Sequence, residues 1–168
     1  MKKSLLLAVI SIVFAFNSNA QEIEKGTLQS LKGQKEVNFV VDYSKTSFNG
    51  KNEKSFSEYE TDWYKDKTEV ISYIIDGVLK EVKDYILIGE YPDAEYTLTL
   101  YPDLIERKGD TEAHAELTDK SGNVLCVIED IEGEGGTFGT KLNLIKDGSK
   151  EIGANFGKFL KKQLRKLK

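Results

Sequence analysis

The chain has 168 residues, with 24 Lys or Arg against 28 Asp or Glu, and its formal net charge is −4. An acidic balance keeps a protein soluble and argues against nucleic acid as its main partner. Cys126 is the only cysteine, which excludes an internal disulfide.

The first twenty residues have the pattern of a secretory signal peptide. Lys2 and Lys3 precede an apolar run over residues 4–16, and Ser18 and Ala20 are small residues at positions −3 and −1 of a cleavage site. The run is shorter than the about 20 residues that span a bilayer. We therefore expect residues 1–20 to be removed, leaving a soluble periplasmic or secreted chain without a transmembrane segment.

The mature chain is expected to form one α/β domain over residues 35–168, preceded by a mobile segment over residues 21–34. Residues 37–43 are β-branched and aromatic, which predicts the first strand. Residues 44–54 carry an Asn-Gly pair and are predicted to be a loop.

Two helices are predicted next. Ser57 and Glu60 have the spacing of a capping box, which indicates a short helix through Trp63. An apolar stripe over residues 68–83 predicts an amphipathic helix. Gly77 lies inside it at a cost of about 1 kcal/mol relative to Ala, which indicates a close contact of this helix with the sheet.

Three strands and a closing helix complete the prediction. Residues 95–101 and 111–118 alternate, and residues 124–128 form a continuous apolar run. Residues 119–123 join the last two strands as a hairpin turn. A helix is expected over residues 149–167. The predicted fold class is α+β, a four-stranded sheet with helices packed against it in the order β-α-α-β-β-β-α.

His114 is the only histidine, and it shares a strand face with Glu112 and Glu116. One imidazole between two carboxylates could bind a metal or act in acid–base catalysis. An outward-facing polar row on a half-exposed strand is the favoured interpretation. The alternative is a metal-dependent or acid–base hydrolase built on these three residues.

Three other features are interpreted as structural. The glycine-rich segment over residues 133–139 lacks the order and spacing of a phosphate-binding loop. The turn at residues 119–123 lacks the length and the distal Glu of a calcium loop. Cys126 is interpreted as a small buried hydrophobe. We therefore predict no cofactor and no catalytic residue.

Tyr91 and Tyr101 each begin a Tyr-Pro-Asp tripeptide. Proline cannot donate to a strand ladder, so turns or strand ends are the favoured interpretation. If both tyrosines lined one groove with Trp63, they could bind a sugar or a peptide.

The predicted closing helix is amphipathic. Phe156, Phe159 and Leu160 are expected to face the core. The opposite face is basic, and a solvated face is favoured over contact with an anionic surface or an acidic partner. Its cations are Lys158, Lys161, Lys162, Arg165, Lys166 and Lys168, of which Lys161, Lys162 and Lys166 are the binding candidates.

The chain resembles a family of small secreted proteins of Bacteroidota. The resemblance is carried by residues 91–98, 122–125, 136–144 and 157–160. More distantly, it is similar to the periplasmic α/β domains of the curli-secretion lipoprotein and the TolB amino-terminal domain, whose terminal helices carry small residues. The chain departs from these in having no cysteine for lipidation, and the resemblance implies no catalytic residues.

The preferred function is therefore an exported, non-enzymatic binding or assembly accessory of the cell envelope, with an envelope protein or a glycan as partner. The hydrolase centred on His114 and the sugar- or peptide-binding module are the alternatives.

Overall fold

The computed structural model describes residues 21–168, so the predicted signal peptide lies outside the described residues. The strands are β1 (Glu22–Gly26), β2 (Glu36–Val41), β3 (Ser47–Phe48), β4 (Leu87–Gly89), β5 (Tyr96–Ile105), β6 (Thr111–Asp119) and β7 (Val124–Gly133). The helices are α1 (Glu53–Ser57), α2 (Trp63–Val82) and α3 (Lys141–Lys166), and a 3-10 turn spans Gln29–Leu31.

These strands form one mixed sheet in the order β1-β7-β6-β5-β2-β4, with β3 paired to β5. The α+β class fits, but the prediction of four strands is wrong, because the sheet has seven. The three added strands have five, two and three residues. Runs this short carry too little alternation to be recognised from sequence.

The segment over residues 21–34 was expected to be mobile, but it contributes to the sheet and the core. β1 pairs antiparallel with β7, with a register shift between Ile23 and Lys25. Leu28 and Leu31 follow the strand and are buried against the main core. This pairing covers β7, which would otherwise be an open edge of the sheet.

Helices α2 and α3 run parallel and pack against each other along a seam of glycines. A Cβ atom on Gly77 would lie 2.8 Å from the carbonyl carbon of Gly153, and one on Gly157 would lie 2.9 Å from Cα of Val78. The close approach predicted at Gly77 is therefore real, but its neighbour is helix α3 and not the sheet.

Several element boundaries differ from prediction. α1 begins after Asn52, whose side chain accepts a hydrogen bond from the Ser55 amide at 2.9 Å, so Ser57 ends a helix instead of capping one. α3 begins at Lys141, where Thr140 accepts from the Asn143 amide. β5 continues past Pro102 to Ile105 through a bulge.

The core lies on one side of the sheet. Inward residues of β2, β4, β5, β6 and β7 pack with α2 and α3 in the larger cluster, and an aromatic cluster around Trp63 closes the end near α1. The opposite face of the sheet carries the outward side chains of the same strands. None of the helices formed by residues 21–168 combines the length and apolar content that crossing a bilayer requires.

Candidate functional site: the open face of the sheet

The sheet face opposite α2 and α3, called the open face below, carries the candidate site. Alternation along β6 separates the two faces: Ala113, Ala115 and Leu117 are buried in the core, whereas Glu112, His114 and Glu116 point away from it. The neighbouring strands add further open-face residues, which are Val40, Thr97, Thr99, Tyr101, Val127 and Glu129.

His114 lies between two bulges. On β5, Asp103 is inserted between the paired residues Pro102 and Leu104. On the other side, Ala113 pairs with Ile131 of β7 and Ala115 pairs with Ile128. His114, the one residue between the two alanines, therefore lies opposite two residues of β7, Glu129 and Asp130. Bulges redirect side chains, and here they bring several carboxylates around one imidazole.

Two contacts orient the imidazole of His114. Its Nδ1 lies 2.7 Å from Oδ2 of Asp103, and because a carboxylate only accepts, Nδ1 is the donor. The ring also stacks on Tyr101, with 4.9 Å between centroids and 15° between planes. The histidine is thus held by neighbours across the strand pair.

The predicted set of Glu112, His114 and Glu116 does not assemble as a metal site. His114 is directed towards Asp103 on β5, while the two glutamates are paired opposite Leu104 and Thr99. Among residues 21–168, no group of three or more His, Cys, Asp or Glu residues is arranged to hold a metal ion.

Carboxylates line two neighbouring depressions at this part of the sheet. One has a volume of about 210 Å³ and the other about 240 Å³, and both include Glu112 and Glu132. Within the described residues 21–168, their linings contain no Lys or Arg and carry eight carboxylates, which are Asp103, Glu106, Asp110, Glu112, Glu129, Asp130, Glu132 and Glu134. We call these eight residues the acidic patch.

Glu129 shows the electrostatic cost of this crowding. Partial burial raises the pKa of its carboxyl group above the ordinary value of 4.5, and the charges of Glu24, Asp103 and Asp130 raise that pKa further. His114 acts in the opposite direction. An additional positive charge from outside would favour the ionised form of Glu129.

The tyrosine groove considered from the sequence does not form. Trp63 is fully buried, and its Nε1 donates to Oε1 of Glu53 at 2.8 Å. Tyr91 lies in the loop after β4, where its amide donates to Oδ1 of Asn38. Tyr101 belongs to the open face, beside His114.

The basic face of α3 is largely solvated. Lys161 lies 3.1 Å from Oε2 of Glu81 on α2, and Lys166 contacts Gln163 within its own helix. Lys162 is exposed. Phe156, Phe159 and Leu160 are buried in the core, as expected from the sequence.

The other sequence features have structural surroundings. Cys126 is buried in the core, and burial raises the pKa of its thiol to about 11, which disfavours the nucleophilic thiolate. In the hairpin after β6, Asp119 accepts hydrogen bonds from the amides of Ser121 and Asn123 at 2.9 Å each. The amide of Gly135 donates to Asp110 at 2.7 Å.

Sequence reasoning misses Asp103, Glu129 and Asp130. Asp103 follows a proline, which favours a turn, and a strand ending at residue 128 leaves Glu129 and Asp130 outside the sheet. The sequence holds one signal that β7 continues. Side chains of a regular strand return to the same face every two residues, so an isoleucine three residues after Ile128 indicates one inserted residue before Ile131.

No protein-family model and no curated protein sequence matches the chain. Among solved structures, it is similar to a point variant of the PelC dodecamer from Paraburkholderia phytofirmans, with 14% identity and a TM-score of 0.43, covering 82% of this chain and 96% of that one. A second PelC dodecamer structure from that organism gives 12% identity and a TM-score of 0.42, covering 80% and 95%. A likeness this remote carries no argument about function.

Proposed function

We propose that the protein is an exported, non-enzymatic binding or assembly accessory of the cell envelope and that it binds its partner through the open face. The pattern of residues 1–20 supports export. The observation that carries the binding role is the acidic patch, whose eight carboxylates surround two depressions that no Lys or Arg of the described part of the chain lines.

The partner's contact surface is expected to be basic. Charged surfaces bind complementary charges, which speeds association and suppresses wrong partners. Tyr101 and Val40 add aromatic and apolar area to the same face, and 39% of Val40 is exposed. This combination favours a protein segment that carries Lys or Arg beside apolar side chains, as the partner on the open face.

The hydrolase alternative retains one supporting observation, the 2.7 Å contact between Asp103 and His114. A carboxylate that orients an imidazole is one part of an acid–base catalyst. Among residues 21–168, the lining of the two depressions includes no serine or cysteine, and its one hydroxyl, that of Thr111, is buried and donates to the carbonyl oxygen of Gly109 at 2.9 Å. The non-enzymatic function is therefore preferred.

The test measures calorimetric binding of a deca-lysine peptide to the mature protein. Because Glu112 and Glu132 line both depressions, the double variant Glu112→Lys/Glu132→Lys should bind about tenfold more weakly. The matched control is Glu58→Lys/Glu60→Lys, near α1, which should bind as the wild type does. His114→Ala should also keep its binding.

Equal weakening in the control variant would show that net charge, and not the open face, governs binding. A hydrolytic activity of the purified protein that His114→Ala abolishes would replace the binding function with the enzymatic one.

A further inference from the structure

A second concave site lies at the end of the fold where α2 and α3 terminate. It has a volume of about 350 Å³ and shares no residue with the linings of the acidic patch. We call it the terminal groove, and its principal lining residues are Leu31, Lys32, Tyr85, Leu164, Leu167 and Lys168. Ligand sites typically start at about 300 Å³, so this groove could hold one small molecule.

The floor of the terminal groove is apolar. Leu31 and Leu164 are buried in the main core, with 4% and 6% of their surfaces exposed. Tyr85 and Leu167 are partly buried and pack against the same core. An alkyl chain laid on this floor would cover the exposed parts of Tyr85 and Leu167 and would remove its own apolar surface from water.

The rim of the groove is cationic. Lys32 is exposed, and Nζ of Lys168 lies 4.1 Å from the centroid of the Tyr85 ring. Arg165 and Lys166 are exposed in the last turn of α3 and add positive charge nearby. These four cations exceed the partial negative charges of the two helix C-termini, about half an elementary charge each. They also exceed the charge of Glu95, whose carboxylate accepts a hydrogen bond from the lining residue Gln34 at 3.2 Å.

We propose that the terminal groove binds a single-chain anionic amphiphile, a molecule of the fatty-acid class. Its alkyl chain lies on the floor formed by Leu31, Leu164 and Leu167, and its carboxylate lies between Lys32 and Lys168. The charge of the rim is complementary to the head group, and the apolar floor is complementary to the chain.

A single bound molecule fits this groove better than a membrane surface does. Insertion into a bilayer requires projecting apolar side chains. The exposed large hydrophobic residues among residues 21–168 are Val40, Tyr59, Tyr64, Leu87, Val124 and Phe138, and none of them lines the groove. The leucines of the groove pack against the core instead, which suits a cleft that binds a single alkyl chain.

The experiment is an NMR titration of the ¹⁵N-labelled mature protein with decanoate below its micellar concentration, with 1-decanol and acetate as probes of chain and head group alone. As decanoate is added, the amide chemical shifts of residues 31–34, Tyr85 and residues 164–168 should change and reach saturation. Lys32→Glu/Lys168→Glu should weaken decanoate binding about tenfold. Lys162→Glu, an exposed reversal on the same helix outside the groove, is the matched control.

Added salt should weaken the binding of decanoate to the wild type and leave that of decanol unchanged, a test that needs no variant. Decanol binding as tight as decanoate binding, shifts confined to other residues, or no saturable shift would each overturn the proposal. Binding to anionic vesicles without any binding of decanoate would replace it with a membrane contact.

Discussion

His114 shows how local backbone irregularity determines the surroundings of one side chain. In a regular sheet, it would face Tyr101 on β5 and a single residue on β7. His114 still pairs with Tyr101, but the two bulges also place Asp103 beside it and both Glu129 and Asp130 opposite it. The result is a group of carboxylates gathered around one oriented histidine, and these carboxylates suit recognition of a cationic surface better than activation of a nucleophile.

Glu129 gives a prediction at the same scale. Its pKa is raised in the folded state, so the ionised carboxylate destabilises the fold at any pH above that raised pKa. Glu129→Gln should therefore increase the free energy of unfolding at pH 7. The gain should shrink as the pH falls through the raised pKa and should vanish below the ordinary value of 4.5, where both states are protonated.

Urea unfolding of the wild type and Glu129→Gln across this pH range measures the effect. Glu58→Gln, remote from the open face, reports the removal of one negative charge alone. An increase in the free energy of unfolding that is the same at pH 7 and below pH 4.5 would not depend on ionisation of Glu129. That result would contradict the raised pKa of this residue.

Among the elements, α3 contributes most to the core outside the sheet. Phe156 is fully buried and lies 6.3 Å from Phe39 of β2, measured between ring centroids. Gly153 allows α3 to approach α2, where a Cβ atom would lie 2.5 Å from the carbonyl oxygen of Ile74. Large side chains of α3 thus pack on the sheet, and glycine on another side of α3 allows close packing against α2.

Phe156→Ala should lower the free energy of unfolding by about 3–5 kcal/mol, because it removes a buried ring and leaves a cavity. Lys162→Glu, on the solvated side of the same helix, should change it by no more than about 0.5 kcal/mol. Urea denaturation measures both variants. Comparable losses in the two would mean that the basic face, and not the apolar one, holds α3 in place.

The elements also show which parts of the fold the sequence predicts. The strict alternation of residues 111–118 correctly assigns both faces of β6, because a buried face and a solvated face demand opposite side chains. The early start of α3 is missed because Asp147 and Gly148 resemble a helix break. In the structure, Gly148 lies inside α3, and the close packing of Gly109 accounts for the glycine, because a Cβ atom there would overlap the carbonyl oxygen of Gly109.

The candidate site is predictable only in part. His114, Glu112 and Glu116 are correctly placed on one strand face, since their period-two spacing is local information. Asp103 and Glu129 come close to His114 through bulges on β5 and β7. The position of a bulge depends on how a strand pairs with its neighbours, and this pairing cannot be predicted from one sequence. The sequence allows Trp63 to line a groove, but the residue is fully buried. An aromatic residue in a short predicted helix is equally compatible with an exposed and a buried position.

For the whole molecule, two separate surfaces result from one architecture. Both long helices pack on the same side of the sheet, which leaves the open face with the acidic patch uncovered. Their parallel direction brings both C-terminal ends, with the lysines of α3, to the terminal groove. The negative and positive surfaces therefore use different residues, and each can be altered without the other.

The central claim is that the protein binds its partner through the open face. Photo-crosslinking in living cells tests this claim most directly. A photoreactive amino acid is placed at Val40 or Glu116 on the open face and, as controls, at Asp76 of α2 or Lys158 of α3, which are exposed on the helical side. Adducts with one and the same envelope component are expected from both open-face positions and from neither control. Adducts from the helical positions alone, or from no position, would contradict the claim.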